Sequence, residues 1–375
     1  MSGIYIHIPF CKTRCSYCDF YSEVAPTLIP DVINAMVGEI FIRKDYLLDK
    51  HIDTIYFGGG TPSVLKPDDF EIIFKAIYST FHVDSNAEIT FEANPDDLTE
   101  FFFSDISHLP FNRISIGIQS FVDEQLVQIN RRHTALQAIQ AIKNAHNAGF
   151  KNISIDLIFG LPNQTLKDWE QELIKAFSLG IQHISAYGLT FEKGTAIWKQ
   201  REIGKIKQVD EEIMNQMYFK LLDLTALHHF VAYEISNFAI DGFRSRHNSA
   251  YWKQISYIGI GPSAHSFDVQ SRQWNVASIR EYTQHIATGS GFYEREILTN
   301  NEKFNDFVLV ALRTSEGVNL TELNLTVGDE LTSHFIKNIK PFIKSGKVEI
   351  KDGMFCLTRD GILISNQILT ELMKV

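Results

Sequence analysis

Cys11, Cys15 and Cys18 crowd into the segment CKTRCSYCDF at 11–20, while the fourth cysteine, Cys356, lies near the C-terminus. Thiols so close together can hold metal. A structural zinc ion takes four Cys or His ligands, usually drawn from two close-spaced couples. Only His7, on the run before the cysteines, could complete a Cys3His set, and Pro9 between them makes that cramped. Three thiolates suit a [4Fe–4S] cluster better, because each ligates one iron and the fourth iron stays open to an exchangeable ligand.

Such a site has to be carried by elements the rest of the chain supplies. With 375 residues, 45% hydrophobic, 12% aromatic and 21% charged, the composition is that of a folded protein with a large core, and one large domain plus a smaller one is expected. The first residues run directly into a strand-length apolar stretch, with no secretory leader pattern. A cytoplasmic location is therefore expected, where reduced thiols bind metal rather than pair. No apolar run approaches the length of a membrane span. The net charge of −10 argues against a nucleic-acid partner, which needs a basic face. Lys337, Lys340, Lys344, Lys347 and Lys351 gather locally, and read most simply as a solvated surface.

Six β-rich runs alternate with helical patterns: 4–10, 51–60, 87–95, 111–121, 152–162 and 183–192. Between the first two, Val32, Ile33, Met36, Val37, Ile40 and Phe41 recur at helical spacing; between the fourth and fifth, Leu126 to Ile142 suggest one or two helices stopped by Gly149. The pattern implies an α/β fold, a six-unit β/α partial barrel, since six units are too few for a closed eightfold one. Right-handed crossovers place every strand's C-terminal end on one side. At those ends stand Cys11, Gly58–Gly60, Glu92, Gln119, Asp156 and Thr190. Each alone reads as a turn or a cap, but together they read as a site. After about residue 270 the pattern changes to helices at 301–314 and 328–346 and a hairpin turned at Asp352-Gly353. The expected division is a barrel over 1–270 and a smaller winged-helix-like α+β domain over 271–375, used for packing or partner binding rather than DNA.

The spacing C-x3-C-x2-C, with Tyr17 before the last cysteine, resembles the radical S-adenosylmethionine (SAM) superfamily. That family's fold is a six-unit β/α partial barrel, and in it SAM caps the open iron of a [4Fe–4S] cluster and is cleaved by electron transfer. The motifs YIHIPFC (5–11), GGGTP (58–62), GIQSF (117–121) and DLIFGLP (156–162) are similar to those of the branch containing oxygen-independent coproporphyrinogen III oxidase and the HemW-type heme chaperones. Carried over to matching positions, the resemblance implies cluster ligands Cys11, Cys15 and Cys18. It implies SAM contacts at Tyr5, Tyr17, Gly59, Gly60, Thr61, Glu92, Gln119, Arg131 and Asp156, with Thr190 a weaker match. Glu92 and Asp156 could accept from the ammonium or the ribose, Arg131 could pair with the carboxylate, and Gln119 could bridge polar edges. The glycines would let the backbone approach the amino group. Tyr5 and Tyr17 could contact the ligand or simply pack.

Two departures separate this chain from the oxidase pattern: Phe20 stands where the oxidase has a further cysteine, and only Met1–Ile4 precede Tyr5, where the oxidase has an extension. RHNSAYW at 246–252 resembles the heme-binding element of the chaperones, so the resemblance implies a heme-binding segment near 246–267 with His247 as the candidate iron ligand. On the residues alone His247 would be a loop histidine beside aromatics. His265, in GIGPSAHSF, is a second candidate. The implied function is a heme chaperone that passes heme to an acceptor protein, such as a respiratory enzyme, with an electron donor serving the cluster. The alternatives are a coproporphyrinogen III dehydrogenase and, without catalysis, a zinc-stabilised adaptor.

Overall fold

Six parallel strands in chain order form the centre of the computed structural model, which describes residues 2–374. They are β1 (Gly3–Ile8), β2 (His51–Gly59), β3 (His82–Ala93), β4 (Arg113–Gln119), β5 (Ile153–Phe159) and β6 (His183–Gly188). Each falls within or across one of the runs expected from the sequence. Helices such as Ile29–Ile42, Pro67–Thr80, Ala135–Asn147 and Leu166–Phe177 make the crossovers. Ala135–Asn147 shows how locally this is encoded: Thr134 and Gln137 form a capping box at its start, and Gly149 at φ +91° takes the chain out of it.

Side chains alternate faces along a strand, and here the two faces differ in chemistry. Ile4, Ile6, Ile8, Ile55, Phe57, Ile89, Phe91, Ile114, Ile116, Ile153 and Ile155 join helix residues such as Val32, Met36, Phe70 and Ile142 in the main core. The alternate positions carry Thr54, Thr90, Ser115, Ser154, His183 and Ser185, all buried. Register aligns Tyr5 with Tyr56, Glu92 with Ser115, and Asp156 with both Gly117 and Ser185. The polar face of the sheet thus rises toward the rim formed by the strands' C-terminal ends.

The row does not close on itself. Beyond β1 it continues through a parallel strand, Tyr257–Ile260, and antiparallel strands His265–Phe267, Ser271–Asn275 and Tyr293–Ile297. Beyond β6 it continues antiparallel through Asn237–Ala239 and Val231–Ala232. These strands are too short to show a period in the sequence. Residues 271–297 therefore belong to the large sheet, and Ile279, Tyr282, Ile286 and Phe292 to its core. A second core begins at Phe304 and includes Val308, Leu323, Phe335, Ile339 and Phe355. We accordingly draw the division near residue 298 rather than at 270.

The C-terminal part has the helix–strand–helix–helix–hairpin order of a winged helix: Asn300–Leu312, Val318–Asn319, Leu320–Val327, Asp329–Lys344, then Val348–Lys351 and Met354–Leu357. Asp352 and Gly353 both take positive φ in the hairpin turn, the requirement of a tight two-residue connection. Among the described residues no helix is long and apolar enough to cross a membrane.

Candidate cluster and cofactor site

The cysteine loop leaves the C-terminal end of β1 and is pinned at several points. Cys11 N–H donates to the Glu23 carbonyl (3.1 Å) and Glu23 N–H to that of Pro9 (2.8 Å). Ser16 N–H donates to the Ile129 carbonyl (3.0 Å), and the Ser16 carbonyl accepts from Ile197 N–H (2.8 Å). The Asn130 side chain holds the Arg14 carbonyl at 2.8 Å. All three thiols are free and line one cavity of about 480 Å³. Cys356 is buried in the hairpin among backbone carbonyls and takes no part. His7, which a Cys3His zinc site would need, has both ring nitrogens engaged, by the Tyr5 hydroxyl (3.1 Å) and the Tyr21 carbonyl (3.0 Å).

Donors from the loop after β2 and from the turn after the helix Asp123–Gln128 approach the sulfurs. Thr61 Oγ1 lies 3.4 Å from Cys11 Sγ, and Arg131 Nη1 3.2 Å from Cys15 Sγ. Each contact sets a hydrogen-bond donor against a sulfur. Burial pushes the Cys18 thiol up to about 11, and Cys15 and Cys11 add to the shift. Arg131 also donates through Nη2 to Asn94 Oδ1 (2.7 Å) and to the Gly117 carbonyl, while Asn94 Nδ2 reaches Thr61 Oγ1 (3.3 Å). The ends of β2, β3 and β4 are thereby tied to the cysteine loop. The Nε of Arg131 is buried without a partner, a donor that an anion in the cavity would satisfy.

The glycines of GGGTP answer first to the protein itself. A Cβ at Gly59, where φ is +104°, would lie 2.7 Å from the His7 ring, and one at Gly60 2.6 Å from the Phe10 carbonyl oxygen. Close packing against the end of β1 demands glycine here, in addition to any room a ligand gains. Gln119 ends β4 at φ +69°, where the register against β5 shifts between Gly117 and Gln119. Such an irregularity re-aims a side chain at a strand end.

Two carboxylates face the cavity. Glu92 accepts from the Tyr56 hydroxyl at 2.7 Å, and Asp156 from Ser115 Oγ at 3.3 Å. Burial raises Glu92 to about 7, with the Asp156 charge adding to it, and raises Asp156 to about 6 against hydrogen bonds from Ser185 and Ser115 and the charge of Arg113. A cation entering the cavity would favour the ionised form of both. Of the expected site residues, Cys11, Cys15, Cys18, Tyr17, Gly59, Gly60, Thr61, Glu92, Gln119, Arg131, Asp156 and Thr190 all line this cavity.

Tyr5 and His247 do not. Tyr5 lies deeper, stacked on Tyr56 (6.2 Å between centroids) and His247 (6.4 Å). His247 lies in the first turn of the helix Arg246–Trp252 and is 2% exposed. Its Nδ1 is 2.8 Å from Thr54 Oγ1 and its Nε2 2.8 Å from the Tyr251 hydroxyl. Burial, with the charge of Arg113, lowers its pKa to about 3, so the ring is neutral. As arranged, neither nitrogen is open to iron. His247, expected as the candidate iron ligand, is held behind Tyr251 in this arrangement. His265 is exposed, stacked on Trp274, and outside the cavity walls.

A larger cavity, about 820 Å³, shares Tyr187, Gly188 and Thr190 with the first. Its lining includes Asn248, Tyr251 and Trp252, then Phe159, Met214 and Tyr218, and from the C-terminal part Arg313, Ile362, Leu363 and Asn366. Sequence reasoning missed Tyr56, Asn94, Tyr187, Met214 and Arg313. Asn94 follows directly on a strand end, a signal that could have found it. Arg313 gave no signal, because only the packing of the two parts brings it there.

The model of the Radical SAM superfamily matches residues 5–175, and that of the HemN C-terminal domain matches residues 298–364. A curated relative from Bacillus subtilis named heme chaperone HemW is 32% identical, with 98% of each chain covered. One of the same name from Lactococcus lactis is 33% identical over 84% of this chain and 83% of its own. Among solved structures, coproporphyrinogen III oxidase (HemN) from Escherichia coli superposes with a TM-score of 0.85 at 21% identity, covering 100% of this chain and 90% of that one. At that identity the likeness speaks for the fold. The chain belongs to the radical SAM superfamily, in the branch that holds the HemW-type heme chaperones and HemN.

Proposed function

We propose that this protein binds heme and hands it to an acceptor protein, and that Cys11, Cys15 and Cys18 hold a [4Fe–4S] cluster with SAM at its open iron. The observation that carries the heme reading is the 820 Å³ cavity, lined by Asn248, Tyr251 and Trp252 and sharing the wall residues Tyr187, Gly188 and Thr190 with the thiol-lined cavity. Its volume lies in the range of cavities that enclose a cofactor. Its apolar and aromatic walls suit a flat macrocycle.

The thiol-lined cavity fits the cluster and its small ligand. Three free thiols ring it, two of them met by donors, and the unspent Nε of Arg131 supports pairing with the carboxylate of SAM. Glu92 and Asp156 would ionise against its ammonium or accept from its ribose. When bound, the cluster would supply an electron and an iron free of protein ligands. The protein's part is to hold the thiolates, orient the ligand by Arg131, Asn94 and Thr61, and keep water from the strand ends.

His247 stands behind the larger cavity with Tyr251 between. We propose that it reaches heme iron through Nε2 once Tyr251 gives up its hydrogen bond, while Thr54 keeps Nδ1 engaged and the ring oriented. Anaerobic incubation of the reconstituted protein with SAM, a reductant and coproporphyrinogen III tests the choice between chaperone and dehydrogenase. No conversion is expected; formation of protoporphyrinogen at enzymatic rates would overturn the chaperone reading.

A further inference from the structure

Among the described residues lining the larger cavity, Glu234 is the one carboxylate and Arg313 the one cation. Glu234 is occupied: it accepts from the Asn237 side chain and from backbone N–H groups of Ile235, Ser236 and Asn237. Arg313 is less committed. It caps the helix Asn300–Leu312, and its backbone carbonyl accepts from Ile235 N–H at 3.2 Å, which fixes it at the junction of the two parts. Its guanidinium donates through Nη2 to the neutral Asn366 Oδ1 at 3.0 Å. Most of the nearby wall is apolar: Phe159, Met214, Ile235, Trp252, Ile362 and Leu363. The Arg313–Asn366 contact is solvent-exposed, so the guanidinium stands at the edge of this wall, where an acidic group of a ligand lying on the wall would meet it.

We propose that Arg313 is the carboxylate anchor of this cavity, gripping a propionate of the bound tetrapyrrole. This rests on the heme reading above and adds to it the ligand chemistry the cavity selects, a macrocycle bearing a free carboxylate. The planar guanidinium can meet a carboxylate with two parallel hydrogen bonds. Asn366 holds the group in place without neutralising it. The apolar face of the macrocycle would lie against Trp252 and Leu363 while its acidic edge points to the C-terminal part. Both parts of the chain would then hold the ligand together.

The test titrates the full chain with iron mesoporphyrin and with its dimethyl ester, followed by visible absorption. Wild type should bind the diacid at least about tenfold more tightly, the scale of a charge-assisted pair. Arg313→Gln should lose about tenfold for the diacid and bind the ester unchanged. Asn366→Asp should act in the same direction, because its carboxylate would pair with the guanidinium, and it decides the matter if Arg313→Gln does not fold. Equal losses for diacid and ester, or no loss, would reduce Arg313 to packing and overturn the anchor. A wild type that binds both compounds equally overturns the anchor alone; one that binds neither overturns the heme reading with it.

Discussion

Replacing Tyr251 by phenylalanine should strengthen heme binding, although it removes a polar group from the cavity wall. The Tyr251 hydroxyl lies 2.8 Å from His247 Nε2, the nitrogen that faces the cavity side, and the ring of Tyr251 packs on Tyr257 at 4.5 Å between centroids. Phenylalanine keeps the ring contacts and deletes only the hydrogen bond. In the heme-free protein this leaves a buried imidazole nitrogen without a partner, at a cost of about 1–3 kcal/mol. Iron at Nε2 removes that cost, so the difference appears as affinity. A gain of about 1–2 kcal/mol corresponds to roughly five- to thirtyfold tighter binding. Two measurements check it: the Soret titration should give a lower Kd, and the heme-free variant should melt at a lower Tm than wild type. His247→Ala serves as the control and should lose the spectral signature of imidazole ligation. If Tyr251→Phe binds heme no more tightly, or less tightly, than wild type, the gate is refuted and Tyr251 itself must touch the ligand.

Two further outcomes follow from the thiol-lined cavity. Glu92→Gln should stabilise the ligand-free protein increasingly with pH. Wild-type Glu92 is raised to about 7 by burial, so the unfolded chain loses its proton first and wild-type stability falls as pH rises from about 4.5 to 7; the variant escapes this, and the gap should reach about 3 kcal/mol above pH 7 in denaturant unfolding. A gap that does not grow with pH would contradict the assigned burial. Cys15→Ala should abolish iron and sulfide uptake on reconstitution yet keep the circular dichroism of wild type, because its side chain meets Arg131 and Tyr17 and is not part of the buried core; global unfolding would show that the loop carries the fold.

Much of the architecture is written locally. The six parallel strands are buried on both faces, and Ile alternates with Tyr, Thr, Ser, Glu or Asp because one face meets helices and the other a polar interior. Glu92, Gln119, Asp156 and Thr190 could be placed on one rim simply because parallel strands share a direction. The short strands after residue 230 were not legible, since two to five residues show no period, and so the large sheet runs past residue 270. His247 shows the other limit. A motif names a residue type at a position, whereas accessibility depends on Thr54, Tyr56 and Tyr251 arriving from separate elements. Arg313 belongs to the same class, because contact between the two parts of the chain is needed to bring it to the cavity.

The central claim is that the cavity beside the RHNSAYW helix is a heme site. The direct test is an anaerobic heme titration of the cluster-reconstituted full chain, compared with Trp252→Ala. The account predicts saturation at one heme per chain, with a defined Soret band that weakens when Trp252 is removed. A wild type showing no saturable change, or a Trp252→Ala chain titrating identically to it, would contradict the claim.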